Sequence, residues 1–235
     1  MELVRVDTQR AYDLIWEKIT TLELAPGSAI NEQALAEQLD LGLVPVQEAL
    51  KLLAHDDLVV IAPRHGPYVA DINIPEFEQL SEMRLSLESL CAKLAAQRAT
   101  PDDLAVLEAL RHEAAVLHER STAPAENGST EQALPTPVEV SRRLFELDHK
   151  FHQAIARAAH NKYMSRTLDQ FFGLSQRLWY LVAPHLGFLP AAVEEHLDLV
   201  EAIKAGNAEQ AEQIMHAHVK DFYAKVQAVL AANKK

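Results

Sequence analysis

Asp148 and His152 stand four residues apart in a helical pattern, so a carboxylate and an imidazole share one helix face about one turn apart. His196 and His218 fall on two later helical segments. In an antiparallel bundle, residues distant in sequence converge on one interior. One carboxylate and three imidazoles suit a divalent transition metal, with positions left over for water or a ligand carboxylate. Zinc is the expected ion; Ni²⁺, Mn²⁺ and Fe²⁺ are alternatives, because availability as well as affinity decides occupancy. The spacing alone is weak support, since a chain with 11 histidines and 34 acidic residues produces such pairs by chance. His216 precedes His218 by two, faces elsewhere, and is the alternative ligand. His149 turns ~100° away from Asp148 and is expected at the surface. His160 and His185 lie near helix ends, where partial charge is favourable. The four groups could also activate water as a hydrolase site does. No general base stands beside them, and Glu195 turns off around its helix, so no enzyme is expected.

Arg84, in EMRLSLE, has apolar neighbours and therefore needs an anionic partner. Glu88 at i+4 is one; the carboxylate of a small ligand is the other. Arg177, in SQRLWYL, is a second ligand-binding candidate, or else a salt bridge at a dimer surface. Asn161 could bond the same ligand or end a helix. Phe172, Trp179 and Tyr180 line a core or a pocket wall. A metal beside an arginine is a bidentate trap for a small carboxylic acid. Cys91, the one cysteine, is expected to be a buried structural thiol.

The elements that must position these groups follow from period and punctuation. From Glu76 onward the patterns repeat near 3.6, giving helices near 76–98, 101–120, 138–160, 163–182, 190–205 and 207–232. Residues 121–137, STAPAENGSTEQALPTP, are polar and read as a mobile loop. The fold class is mainly α: an all-α antiparallel bundle over 76–235 follows a smaller unit over 1–71, with a linker at 72–75.

That smaller unit has the shape of a winged helix-turn-helix. A helix over 8–23, capped by Thr8, is followed by a Pro26-Gly27 turn. A short helix capped by Asn31 ends at Leu39, and another opens at Pro45 and ends at Leu53. Strands at 58–61 and 67–70 flank an Arg64-His65-Gly66 turn and form the wing. This architecture puts one helix in a DNA major groove with the wing beside it. Gln47 can pair with adenine or simply face solvent, and Lys51, Arg64 and His65 can meet phosphates.

Charge works against that role. The chain carries a net −12, and residues 1–75 hold five basic against twelve acidic residues. Lys and Arg supply most non-specific DNA affinity, so an acidic head is a poor default binder. Weakened or lost DNA binding is therefore the alternative reading. No apolar run approaches the ~20 residues that span a bilayer. MELVRVDTQR has no apolar signal-peptide core, and a lone cysteine makes no internal disulfide; a cytoplasmic protein is expected.

Taken together, LELAPGSAINEQALAEQLDL, PVQEALKLL, RHGPYV, EMRLSLESLCAKLAAQRAT, FELDHKFHQAIARAAHN and EEHLDLVEAIKAGNAEQAEQIMHAH resemble the GntR superfamily of bacterial transcription regulators, in the branch with an FCD effector domain. The resemblance implies a homodimer on palindromic operator DNA that responds to a small organic acid. It also implies Asp148, His152, His196 and His218 as metal ligands, and Arg84 as a contact to the effector. One departure stands out. Where the family reads Ser-Arg-Thr-Pro-Val-Arg-Glu-Ala-Leu-Arg, this chain reads Gly42-Leu43-Val44-Pro45-Val46-Gln47-Glu48-Ala49-Leu50-Lys51.

Overall fold

The helical periods of the sequence become nine helices and one hairpin among the residues that the computed structural model describes, 2–122, 137–186 and 190–232. Contacts divide the chain into two units: Met1–Phe77 with Gln170–Leu181, and Glu78–Asp169 with Val182–Lys235.

In the first unit, α1 (Glu2–Thr20) turns Ala11, Ile15 and Ile19 fully inward. It begins before the expected start at 8, because ELVRV continues the helix; Thr8 lies inside it and is not its cap. α2 (Glu32–Leu39) is capped as expected, with Asn31 Oδ1 accepting from the Ala34 N–H at 3.0 Å. Asp40, at φ 52°, ends it in the left-handed region. α3 (Leu43–His55) starts two residues earlier than the Pro45 signal suggests and buries Val46, Ala49, Leu50 and Leu53. β1 (Val59–Ala62) and β2 (Gly66–Val69) pair antiparallel, from Val59 opposite Val69 to Ala62 opposite Gly66. Arg64 at φ 70° and Gly66 at φ 77° make the turn. Ile15, Leu35, Leu50, Leu53, Leu58 and Val69 belong to one apolar core, which holds α1, α2, α3 and the hairpin together.

The middle of α7 (Lys162–Leu186) belongs to this first unit. Gln170 Nε2 donates to the His55 carbonyl at 3.2 Å, and Arg177 Nη1 to the Ala70 carbonyl at 2.8 Å. Gly173 between them lies so close to α1 that a Cβ would stand 2.8 Å from Trp16 Nε1 and 3.4 Å from Leu58 Cδ1.

The described elements of the second unit are all helices. α4 (Ile74–Arg98) opens at Ile74, so Ile74 and Pro75 of the expected linker are its first turn. α5 (Pro101–Thr122) starts on a reciprocal cap: the Thr100 N–H donates to Asp103 Oδ2 at 2.8 Å and the Asp103 N–H to Thr100 Oγ1 at 3.3 Å. α6 (Pro137–Ala158), α8 (Pro190–Lys204) and α9 (Ala208–Ala232) complete it. Gly206, at φ 70°, turns α8 into α9, where Asn207 Oδ1 caps the Gln210 N–H at 3.2 Å. Of the expected loop, residues 121–122 close α5 and 137 opens α6; 123–136 lie outside the described residues. No helix among the described residues is long and apolar enough to cross a membrane.

Gly173→Ala tests the close approach. Alanine's helix propensity favours the variant by ~1 kcal/mol, but the clash with an indole costs about 1–3 kcal/mol. Thermal unfolding should show a net loss of stability; a melting temperature equal to or above the parent's would show that Trp16 yields freely.

Candidate functional site

Amphipathic packing of α6, α8 and α9 turns Asp148, His152, His196 and His218 toward one point in the second unit. One donor atom from each lies within 4.8 Å of the others. Three imidazole Nε2 atoms approach Asp148 Oδ1: His196 at 3.2 Å, His218 at 3.5 Å and His152 at 3.6 Å. His152 Nε2 and His218 Nε2 are 3.1 Å apart. Donors about 2.0–2.2 Å from one zinc ion, in tetrahedral order, stand roughly 3.5 Å from each other; the four distances given are close to that, and the set as a whole, within 4.8 Å, would draw in slightly around an ion. The histidines are buried and Asp148 is half-buried.

The other ring nitrogens decide whether the donors are usable. His152 Nδ1–H donates to Glu88 Oε2, and His218 Nδ1–H to Glu195 Oε2 at 2.6 Å. A carboxylate on Nδ1 fixes the tautomer that leaves Nε2 a lone pair, the arrangement metal-binding histidines use. His196 stacks on Phe151, ring centres 4.2 Å apart, and its buried Nε2 makes no hydrogen bond of good geometry despite lying near Asp148. Behind Glu88, Arg84 Nε donates to Oε1 at 2.5 Å, and the guanidinium lies 5.6 Å over the Tyr223 ring. Three carboxylates and one guanidinium thus leave two negative charges at the cluster, which protons on the imidazoles or a divalent cation would balance.

The titration of these groups shows how strongly they feel each other. Burial opposes ionisation of Asp148, yet His152, His196 and His218 hold it well below the carboxylate range. Burial likewise opposes Glu88, which Arg84 and His152 pull down to about 2. His152 is lifted to about 9 against burial by Glu88 and Asp148, and His218 is lifted by Asp148 and Glu195. His196 is lowered to about 4 by burial, which its contact with Asp148 does not offset. Charge is shared unevenly among three like rings, as expected where donors converge with too few protons to satisfy them.

The first unit presents a different surface. Gln47 Nε2 donates to Glu32 Oε2 at 2.9 Å, so the amide is held by an acid of α2. Lys51 Nζ donates to Glu48 Oε1 at 2.7 Å, exposed on both sides. His65 Nδ1–H donates to the Pro63 carbonyl at 3.2 Å, and Arg64 is exposed at the tip of the turn.

Comparison with known proteins matches residues 7–69 to the model of "Bacterial regulatory proteins, gntR family" and residues 79–221 to the FCD domain. The chain belongs to the GntR family. It is a DNA-binding transcription regulator with an FCD domain, and not an enzyme. It is 24% identical to the HTH-type transcriptional repressor RspR of Escherichia coli K12 over 225 residues, 96% of this chain and 91% of that protein. It is 28% identical to the E. coli K12 regulator McbR over 195 residues, 79% and 77% of the two chains. Among solved structures, E. coli McbR/YncC shares the fold at a TM-score of 0.77 with 19% identity, covering 94% of this chain and 97% of that one. A GntR regulator from Rhodococcus sp. RHA1 gives 0.68 with 18% identity, at 94% and 97% coverage.

Within the FCD domain the structure brings Arg84 to the cluster through Glu88, the i+4 partner. It does not bring Arg177 there: that side chain sits in the unit containing the GntR head, bonded to Ala70. Burial lowers its guanidinium's pKa, against the pull of Glu76, Asp57 and Asp71. Asn161 is not a C-cap. Its Oδ1 accepts from the Tyr163 and Met164 N–H groups at 3.2 and 3.3 Å and so starts α7. His149 is not at the surface either; it is half-buried, and burial lowers it to about 4. His216 is exposed and outside the cluster. Glu88 and Glu195 are the residues that sequence reasoning missed as supports of the histidines. The i+4 spacing to Arg84 pointed to half of the Glu88 role; Glu195, expected to turn away around its helix, instead meets His218 across the α8–α9 contact.

Cys91 lies beside this domain's polar centre, 1% exposed. Burial pushes its thiol up to about 12, and the Glu88 charge adds to the shift. The thiolate is the reactive form. A disulfide reagent at pH 8 should therefore leave the native thiol untouched for hours and titrate one thiol per chain in denaturant; rapid native reaction would contradict the burial.

Proposed function

We propose that this GntR regulator senses a small carboxylic acid through a divalent metal held by Asp148, His152, His196 and His218, with zinc as the expected ion. The observation that carries the reading is the approach of three imidazole Nε2 atoms to one carboxylate oxygen, two of them backed by carboxylates on Nδ1. The bound ion would supply Lewis acidity toward the effector's carboxylate. Arg84, tied to the cluster through Glu88, is the expected second contact; Asn161, which caps α7, and Arg177, which bonds to Ala70, are the less supported candidates. The proposed domains are a DNA-binding head over 1–71, a linker over 72–75 whose last two residues already open α4, and an effector domain over 76–235 whose α7 segment Gln170–Leu181 groups with the head. The protein works in the cytoplasm as a homodimer on operator DNA, with Gln47, Lys51, Arg64 and His65 among the residues that meet the nucleic acid. The effector acts only by its difference in affinity between two arrangements of the dimer.

Native mass spectrometry of freshly purified protein tests this directly. The expected species is a dimer with one metal ion per subunit, and any co-purified acid appears in the same spectrum. Protein that is metal-free and fails to take up Zn²⁺ sinks the sensor reading. Glu88→Gln removes a carboxylate behind His152 and should weaken zinc retention about 10–100-fold in chelator competition, while the parent and variant keep the same helical circular dichroism.

A second reading, a weak grip on DNA, is favoured by the tied Gln47 and Lys51 and by the acidic head. Each neutralised phosphate contributes a slope of about −0.9 in log K against log salt. With Lys51 and Arg64 as the exposed cations of the reading side, two heads give a slope of about −4 by that relation. A slope near −10 would show many more phosphate contacts than these cations supply; absence of any bound sequence at low salt would show that binding is lost.

A further inference from the structure

α3 meets solvent with two aliphatic side chains at its first residues. Leu43 is 37% exposed and Val44 59%. The buried stripe of α3, Pro45, Val46, Ala49, Leu50 and Leu53, fixes which way they face: away from the head's core. In a helix-turn-helix protein the N-terminal residues of the second helix of the motif are the ones set against base edges. Here those residues are Leu43 and Val44. The polar groups further along the same helix are engaged within the head, Gln47 with Glu32 and Lys51 with Glu48.

An aliphatic side chain in the major groove discriminates in one way. Base edges there present hydrogen-bond donors and acceptors, with one apolar group among them, the thymine C5-methyl. Against any other base a valine strips water from polar atoms and returns no hydrogen bond, which is unfavourable. Against thymine it covers a methyl group and gains from its burial.

We propose that Val44, flanked by Leu43, is a specificity-determining residue that reads a thymine C5-methyl, so that each operator half-site carries thymine opposite the start of α3. The proposal rests on the head binding DNA as a member of its family, and it goes further by naming the base and the contact. The exposed valine, where the family pattern carries threonine, supplies discrimination without a hydrogen-bonding group. Since the contact is uncharged, it survives at salt concentrations that weaken phosphate contacts.

The test uses the full-length protein. Bound sequences are selected from a random duplex pool at low salt, and each half-site thymine is then replaced singly by deoxyuridine, which deletes the methyl alone. One thymine per half-site should show a loss of about fourfold on substitution, the value of one buried methyl group. Val44→Ala should bind the selected site more weakly and show a smaller loss with deoxyuridine at that position, because the two changes remove overlapping parts of one contact and alanine keeps a single methyl. Val44 is exposed, so the variant should melt with the parent. Deoxyuridine without effect at every thymine overturns the proposal, as does a penalty that persists undiminished in Val44→Ala or a selected half-site without thymine. Failure to enrich any sequence overturns the DNA-binding premise instead, and the proposal falls with it.

Discussion

Asp148 Oδ1, with three imidazole nitrogens within 3.6 Å, is the contact on which the second unit's interior depends. A carboxylate removed from water is tolerated only beside compensating charge or donors. The three rings come from α6, α8 and α9, so satisfying one acid fixes the rotation of three helices at once. Glu88 carries the same requirement to α4, where Arg84 and His152 share its two oxygens. Phe151 packs on the same centre, its ring stacked on His196. Such networks raise the cost of misalignment more than they raise overall stability.

The head follows the opposite logic. Its core is aliphatic and its surface acidic, so packing sets most of the geometry of the reading helix, with Gln47–Glu32 and Tyr12–Asp56 hydrogen bonds at its flanks. The same 3.6 period that sends Val46, Ala49, Leu50 and Leu53 inward leaves Val44, Glu48 and Lys51 on the outside. Recognition in this protein therefore has little charge to draw on. Shape, apolar contact and whatever cations are released from internal acids must do more than in a basic head.

Much of this was legible in the sequence because it is local. Periods near 3.6 placed the helices, turn residues placed the wing to within one residue, and the i, i+4 spacing put Asp148 and His152 on one face. Family resemblance brought in His196 and His218, which no local pattern joins to them. What escaped depends on side-chain direction across helices. Glu195 meets His218 because α8 and α9 pack closely, a relation invisible in either helix alone. His149 was expected outside because it neighbours an inward residue, yet neighbouring chain half-covers it. Asn161 was ambiguous because Asn serves both helix ends; the left-handed His160, at φ 50°, ends α6 itself and frees Asn161 to begin α7.

The wing turn has a consequence of its own. Arg64 adopts φ 70°, a conformation that disfavours any residue with a Cβ by roughly 1–2 kcal/mol. Glycine or asparagine would relax that backbone and leave the hairpin firmer. Either would also remove an exposed guanidinium from a unit that has few. The turn thus trades rigidity for a cation, and an exposed loop keeps a backbone shape that its side chain disfavours.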